Sequence, residues 1–444
     1  MFENIKNIFK SKNACKKIIV TFVLLAITRL LTTLPVPGIN RELLSIWANS
    51  NEMKALGFMD MFSGNTMQNV SFGAIGITSY INASIIIQLL TVAIPYLNDL
   101  TKQGKDGTDK LKKITFYVSL GISTFQSIFF TIRFNKYGML ENGLGSAILI
   151  VVSLVMGSMF IYFISKIIDN RGVGNGVSFI IATNIASNLY MTFGTFYDVF
   201  IKNKPIANGI FAGVIALGII GALMYFIILY TNGEKRLAVT YPGNNRYTNA
   251  EKTYLPIKPS MSGVMPAIMG ATLFSILSAI PQIFKMGKVP TIIFNVFSTN
   301  KWFDFNGLNI LYSVGAILYV LVIVGCAYLY SKITFNPQQV ADNLRLSGGM
   351  VNGIRQDKMA KEIERQTNNA LLIGGLGMAF IMLIPTIIAQ ITNIDSLSIG
   401  GTSLIILVSV SSELSKKIVA DAKIESDSKM SFRGKGRKLN VKTY

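Results

Sequence analysis

The sequence contains no histidine, and only two of its 444 residues are cysteine. Lack of histidine excludes histidine-ligated metal sites, serine–histidine hydrolases and histidine proton relays. Cys15 and Cys326 fall near the start of one apolar segment and inside another, so we expect no disulfide between them. The sequence also lacks a G-x-x-x-x-G-K-[ST] phosphate loop. These absences predict a protein that is not an enzyme and needs no cofactor.

Charge is scarce as well, since only 14% of the residues are charged while 51% are hydrophobic. Soluble domains carry about 25% charged residues. Several uncharged apolar runs approach the length of about twenty residues that a helix needs to cross a bilayer. We therefore predict an all-α polytopic membrane protein with ten spans: 18–34, 75–94, 114–134, 148–168, 177–197, 207–230, 264–281, 308–335, 370–391 and 400–420.

The distribution of Lys and Arg predicts the orientation of these spans. The segments on one side of the predicted membrane hold 32 of the 42 basic residues, including the N-terminus, the segment from 413 onward and the two longest loops. The segments on the other side hold nine, and Arg29 lies within the first span. Because cytoplasmic segments are enriched in Lys and Arg, both termini are predicted to be cytoplasmic.

The stretch Met61–Asn98 carries no charge and has two unlike halves. Met61–Gly73 is rich in Ser, Gly, Asn and Gln, whereas Ile75–Ile94 is mostly apolar and long enough to span. Irregular backbone at membrane depth needs protein or a water-filled cavity around it. We predict a segment folded back into a cavity, followed by a helix lining it with a polar stripe of Tyr80, Ser84, Gln88 and Thr91. The alternative is a polar loop followed by an ordinary packing stripe.

Two predicted cytoplasmic loops, 231–263 and 332–369, are long enough to be structured. In the first, LAVTY and KTYLPIK flank the turn-rich PGNNRYTN and predict a two-stranded hairpin. In the second, helices are predicted for 336–346 and for KMAKEIERQTNNA, separated by a glycine-rich turn around Arg355. Their basic tips suggest docking to an acidic partner, such as a nucleoprotein or a motor protein.

Seven segments resemble the SecY family, which forms the channel of the bacterial protein-export translocase. They occur in the family's order and extend over most of the chain, which makes their joint occurrence specific. The segments are PVPGI (35–39), GITSYINASIIIQLL (76–90), RGVGNGVSFII (171–181), TYLPIKPSMSGVMPAI (253–268), FNPQQVADNLRLSGG (335–349), GIR (353–355) and GGTSLII (400–406).

The resemblance implies two pseudo-symmetric halves of five helices each, at 1–200 and 201–444, around a central pore. It implies a plug at about 61–72, containing Met61, Phe62, Ser63, Gly64 and Asn65. By motif position, the pore ring would consist of Ile77, Ile81, Ile181, Ile268 and Ile406. The second and third spans would face the seventh and eighth across a lateral gate.

The resemblance also implies a bacterial plasma membrane location and several partners. Arg355, Lys235 and Arg236 would dock the SecA motor or the ribosome. SecE- and SecG-like small subunits would complete the channel. Its substrates would be signal peptides and unfolded preproteins, with apolar segments released sideways into the lipid bilayer.

The chain departs from the family pattern at three places. Ser79 replaces a proline, Gln356 and Asp357 replace a Pro-Gly pair, and the tip of the first long loop has fewer basic residues than the family pattern. These departures leave open an accessory SecY devoted to few substrates. A small-solute transporter, with Gln88 and Asn82 as its best binding candidates, and a non-conducting membrane scaffold also remain as alternatives.

Overall fold

The computed structural model describes residues 12–48, 60–197, 221–240, 254–284, 312–392 and 403–419, together with 218, 294, 296–298 and 302. Within these ranges residues 61, 65, 142, 261–262 and 352 are not described. The helices are α1 (Lys12–Thr33), α2 (Arg41–Ala48), α3 (Thr78–Ala93), α4 (Pro95–Lys102), α5 (Gly104–Lys136), α6 (Leu144–Arg171), α7 (Gly176–Tyr197), α8 (Gly221–Asn232), α9 (Met265–Phe284), α10 (Val314–Thr334), α11 (Pro337–Leu346), α12 (Met359–Thr392) and α13 (403–419).

Each of the ten predicted spans overlaps one of these helices. Among the described residues, four helical segments are long and apolar enough to cross a membrane: Asp106–Lys136, Leu144–Arg171, Val314–Leu346 and Gln356–Ile388. A fifth results if α3 and α4 form one bent span. The chain is therefore a helical membrane protein, while ten crossings and pseudo-symmetric halves stay a prediction.

The break between α3 and α4 bends the chain by 106°. Ile94 ends α3 with an extended backbone, and Pro95 occupies the first turn of α4. A proline in that place lacks the N–H that would continue the hydrogen bonding of the preceding helix. The apolar stretch predicted as the span 75–94 therefore stops here, and α4 leaves it at a steep angle.

The buried apolar residues of the membrane region form three clusters. One belongs to the first part of the chain, from Val36 to Leu154, and another to the second part, from Ile227 to Val408. The third cluster, from Leu25 to Val410, draws side chains from α1, α3, α6, α7, α9, α10 and α13. This third set, here called the central cluster, therefore joins the two parts of the chain.

The two long loops form one structured unit. Strand β1 (Lys235–Thr240) pairs antiparallel with β2 (Tyr254–Ile257), which confirms the predicted hairpin. A short strand from the second loop, β3 (Met350–Val351), pairs with the other end of β1. Asn336 caps α11, and α12 continues through the ninth predicted span without a break, where the sequence predicted separate elements. A small core beneath the sheet contains Val239, Ala341, Val351, Met359 and Ile363.

Close packing between α6 and the segment before α3 gives a stability prediction. A Cβ added at Gly157 would lie 2.0 Å from the backbone oxygen of Phe72. Gly157→Ala must therefore displace backbone, and overpacking of this kind costs about 1–3 kcal/mol. We expect a lower midpoint of thermal unfolding in detergent. Gly145→Ala on the same helix is the control, since a Cβ there meets nothing within 4 Å and alanine favours helix. Equal midpoints for the two variants would contradict the packing described.

Candidate pore and plug

The five isoleucines predicted to form a ring all belong to the central cluster. Ile77 and Ile81 lie one turn apart at the start of α3, where the N–H of Ile81 donates to the carbonyl of Ile77. Ile181 lies on α7, Ile268 on α9 and Ile406 on α13. All five side chains are at most 4% exposed. The structure therefore brings together side chains that are separated by up to several hundred residues in the chain.

The chemistry of the central cluster suits a seal. Its members are mostly isoleucine, valine and leucine, whose branched side chains offer no hydrogen bonds to water or ions. A narrow passage lined this way expels water and thereby blocks ions. Such a lining also adapts to different side chains, because it imposes no hydrogen-bond geometry. The cluster can therefore hold a passage shut without binding one particular ligand.

The predicted plug contributes a side chain to this same cluster. Phe62 is 1% exposed and packs among the isoleucines, while Ser63 is fully buried and Gly64 is half-buried. Two other residues assigned to the plug, Met61 and Asn65, lie outside the described residues. The described residues Phe62 and Ser63 are therefore buried inside the protein, and their function as a plug stays a prediction.

A buried carboxylate organises the turn that carries Phe62. Oδ1 of Asp60 accepts a hydrogen bond of 2.8 Å from the N–H of Met67 and one of 3.2 Å from the Ser63 hydroxyl. Burial raises the pKa of Asp60 to about 6, and these hydrogen bonds lower it in part. The contact with Met67 brings the two ends of the turn together, so 60–67 forms a closed loop.

The residues that follow this loop are held by backbone hydrogen bonds. The N–H of Val36 donates to the carbonyl of Val70 at 3.0 Å, and the N–H of Phe72 donates to the carbonyl of Leu34 at 3.0 Å. The hydroxyl of Thr66 donates to the carbonyl of Gly73 at 3.0 Å. Residues 66–73 are thus attached to the chain that leaves α1, and Phe72 also lies against Gly157.

Two residues that were not assigned a role from the sequence contact the plug. Asn184 of α7 donates from Nδ2 to the carbonyl of Phe62 at 2.7 Å. Oδ1 of the same amide accepts from Nη1 of Arg29 in α1 at 3.2 Å. Both residues were noticeable in the sequence, because each is a polar residue within a predicted apolar span. The sequence did not show what they contact.

Comparison with known proteins identifies the family. The family model for SecY matches residues 71–415, which is most of the chain. The chain belongs to the SecY family. A relative named protein translocase subunit SecY, from Synechococcus elongatus, is 32% identical over 414 residues and covers 90% of this chain and 91% of its own. As a member of the SecY family, the chain is a membrane-embedded subunit of a protein translocase.

Two solved structures show the same fold. One is a SecY structure reported to show that the plug domain stabilises the closed state of the translocation channel and maintains a membrane seal. Its TM-score to this chain is 0.63 at 15% sequence identity, and the match covers 91% of this chain and 92% of the other. The other is Sec61 in a canine ribosome–channel complex, with a TM-score of 0.62, 16% identity and the same coverage.

The departure from the SecY pattern at Ser79 has a structural counterpart. The buried Ser79 hydroxyl lies 3.1 Å from the hydroxyl of Ser158 on α6, within hydrogen-bonding distance. At the position where the resemblance implies a proline, this chain has a polar contact between α3 and α6. The polar stripe predicted on α3 is partly self-satisfied, because Gln88 donates to Ser84 at 3.1 Å and Thr91 donates to the carbonyl of Gln88.

The predicted docking residues lie in the unit formed by the two long loops, but in different settings. Lys235 donates to Gln366 of α12 at 2.6 Å. Arg236 contacts Glu234 at 2.8 Å and lies 4.6 Å from the centre of the Tyr254 ring. Hydrogen bonding to Glu234 raises the pKa of Arg236. Arg355, in contrast, is an exposed side chain in the turn between β3 and α12.

Proposed function

We propose that this chain is the protein-conducting channel of a Sec translocase in a bacterial plasma membrane. In this proposal ten spans form two halves, unfolded polypeptide crosses between them, and both termini face the cytoplasm. One observation carries the proposal: Phe62 of the plug and all five ring isoleucines lie in one buried apolar cluster that joins the two parts of the chain. Membership of the SecY family supports the same function.

The proposed mechanism requires little specific chemistry. A threaded polypeptide displaces Phe62 and pushes the branched side chains apart, and they close again behind it. Apolar segments leave sideways because hydrocarbon solvates them better than water does. Each central Leu or Ile favours this exit by a few tenths of a kcal/mol, whereas one Lys or Arg costs about 3 kcal/mol. The channel therefore sorts segments by hydrophobicity.

The lateral exit is proposed to lie beside α3. This helix packs against α10, which comes from the other part of the chain, as well as against α5. Separation of α3 from α10 would open a path from the central cluster towards lipid. The pairing of the second span with the eighth agrees with the gate implied by the family resemblance.

Energy for transport is proposed to come from a partner that docks on the unit formed by the two long loops, which faces the cytoplasm in this proposal. The exposed Arg355 follows β3, and this strand joins the two loops into one sheet. A preformed basic surface of this kind suits an acidic motor such as SecA, or the ribosome. SecE- and SecG-like subunits are proposed to complete the channel, whose substrates are signal peptides and unfolded preproteins.

Shortening the plug tests the proposal. Because Asp60 and Met67 are hydrogen-bonded neighbours, residues 61–65 can be replaced by two glycines without separating the ends of the loop. We expect the idle channel, reconstituted in vesicles with its co-purifying subunits, to leak ions at least about tenfold faster, since the dewetted constriction loses its central aromatic side chain.

The matched control for the plug replaces the exposed neighbour Asn69 with glycine and keeps Gln68, which hydrogen-bonds Asp60. This control changes the same segment but leaves Phe62 in the central cluster, and we expect its ion leak to equal that of the parent. A shortened plug that leaves the leak unchanged would contradict the proposed function of 61–65.

A further inference from the structure

The charged residue within the first span has a defined partner. The guanidinium of Arg29 is half-buried on α1, and its Nη1 donates to Oδ1 of Asn184 at 3.2 Å. Ionised side chains inside a span are costly and face partners within the protein. Arg29 and Asn184 are 155 residues apart in sequence, so the contact ties α1 to α7.

The other end of the same amide holds the plug. Nδ2 of Asn184 donates to the carbonyl of Phe62 at 2.7 Å, and the Asn184 side chain is buried. A carbonyl only accepts hydrogen bonds and a guanidinium only donates them, so these two partners fix the orientation of the amide. Asn184 therefore bridges the charged group on α1 and the backbone of the plug.

Gly64 fits into the space beside this bridge. Its φ of +84° lies in the left-handed region that glycine adopts readily. A Cβ at this position would lie 2.6 Å from Nη1 of Arg29 and 3.3 Å from the Asn184 amide. A side chain larger than hydrogen would therefore force the plug and the Arg29 guanidinium apart and would strain the left-handed backbone at residue 64.

We propose that Arg29 and Asn184 form a latch that holds the tip of the plug, residues 62–64, in the closed channel. Both residues act through the plug and are positioning residues. The proposal rests on the plug function proposed above. Opening breaks the bond between Asn184 and the Phe62 carbonyl and withdraws Phe62, while 66–73 stays bonded to residues 34–36.

The latch also determines which part of the channel keeps the plug. Arg29, Asn184, Leu34 and Val36 all precede residue 200, and α1 packs against α6 and α7. These polar contacts therefore connect the plug to the first part of the chain. When the two parts separate, residues 66–73 remain with the first part, and only the tip moves.

Substitutions at Asn184 test whether this residue holds the plug or only connects α1 to α7. Asn184→Asp keeps the acceptor for Arg29, which also keeps the new carboxylate ionised, but it removes the donor to Phe62. Asn184→Leu removes both interactions. We expect each variant to raise the idle ion leak of the reconstituted translocase about tenfold, the usual effect of losing one hydrogen bond to a buried carbonyl.

Controls distinguish the latch from the folding of α7. Ser187→Ala removes a hydroxyl one turn from Asn184 that bonds only within the helix, to the Thr183 carbonyl in the described contacts, so the leak should equal that of the parent. Gly64→Ala leaves α7 unchanged but disturbs the contact between the tip and Arg29, and we expect it to leak about as much as Asn184→Asp.

The Asn184 substitutions are also made in the chain that carries the shortened plug. With 61–65 replaced by two glycines, the Asn184 substitutions should add nothing to the leak, because the latch has lost its partner. If the shortened plug leaks but Asn184→Asp behaves like the parent, the latch is overturned while the plug stands. If the shortened plug itself does not leak, the plug function fails.

Discussion

Ile406→Asn is expected to let the channel accept preproteins with defective signal sequences. Ile406 is 2% exposed within the central cluster, next to side chains that cannot hydrogen-bond to an amide. The substitution removes about 2 kcal/mol of apolar burial from the closed state and admits water. This corresponds to roughly a thirtyfold shift towards the open channel. Export of a reporter with a weakened signal peptide measures the effect.

The control for Ile406 lies next to it on α13. Ile405 is equally buried but packs in the cluster of the second part of the chain. Ile405→Asn should lower the amount of folded protein without relaxing signal selectivity, and Ile406→Leu should change neither. Relaxed selectivity for Ile405→Asn with none for Ile406→Asn would show that the wrong face of α13 had been assigned to the pore.

Arg355→Glu is expected to reduce partner-driven export more than a hundredfold while the channel stays folded. The side chain is exposed beside the three-residue turn Gln356–Lys358, where its backbone carbonyl accepts from the N–H of Lys358. The substitution keeps this backbone contact and reverses the charge. Like charges placed face to face in an interface cost several kcal/mol. Export into membrane vesicles supplied with the purified motor gives the rate.

Lys361→Glu provides the matched charge reversal. Lys361 is also exposed, in the first turn of α12, where a carboxylate is favourable for the helix. We expect export within about twofold of the parent, as for other isolated surface charges. Arg355→Glu with normal export, or an equal loss for Lys361→Glu, would refute a specific docking function of Arg355.

The sequence was most informative where the information is local. Turn residues between two β-prone runs predicted the pairing of β1 with β2, and Asn336 followed by a proline marked the start of α11. The two-residue strand β3 was not predicted, because its pairing with Thr240 depends on a contact across more than a hundred residues. The ninth predicted span began too late, because α12 starts at Met359 within the unit formed by the two long loops.

The sequence predicted the pore ring and the plug, but not the residues that contact the plug. The ring and plug residues followed from the order of motifs, and the structure places the five ring isoleucines and Phe62 in a single cluster. In the sequence, Asn184 is a polar residue that interrupts the fifth predicted span, and Arg29 is a single charged residue within the first. Their connection is a tertiary contact between α1 and α7, which periodicity and composition do not encode.

Cross-linking to a stalled polypeptide tests the central claim most directly. Single cysteines at Ile77, Ile181, Ile268 or Ile406, in a chain whose native Cys15 and Cys326 are replaced, are paired with a cysteine in a hydrophilic segment arrested in transit. We predict disulfides at all four positions and none at Met156, whose side chain is 65% exposed on the outer face of α6. Cross-links absent from the isoleucine positions but present elsewhere would contradict a passage through the central cluster.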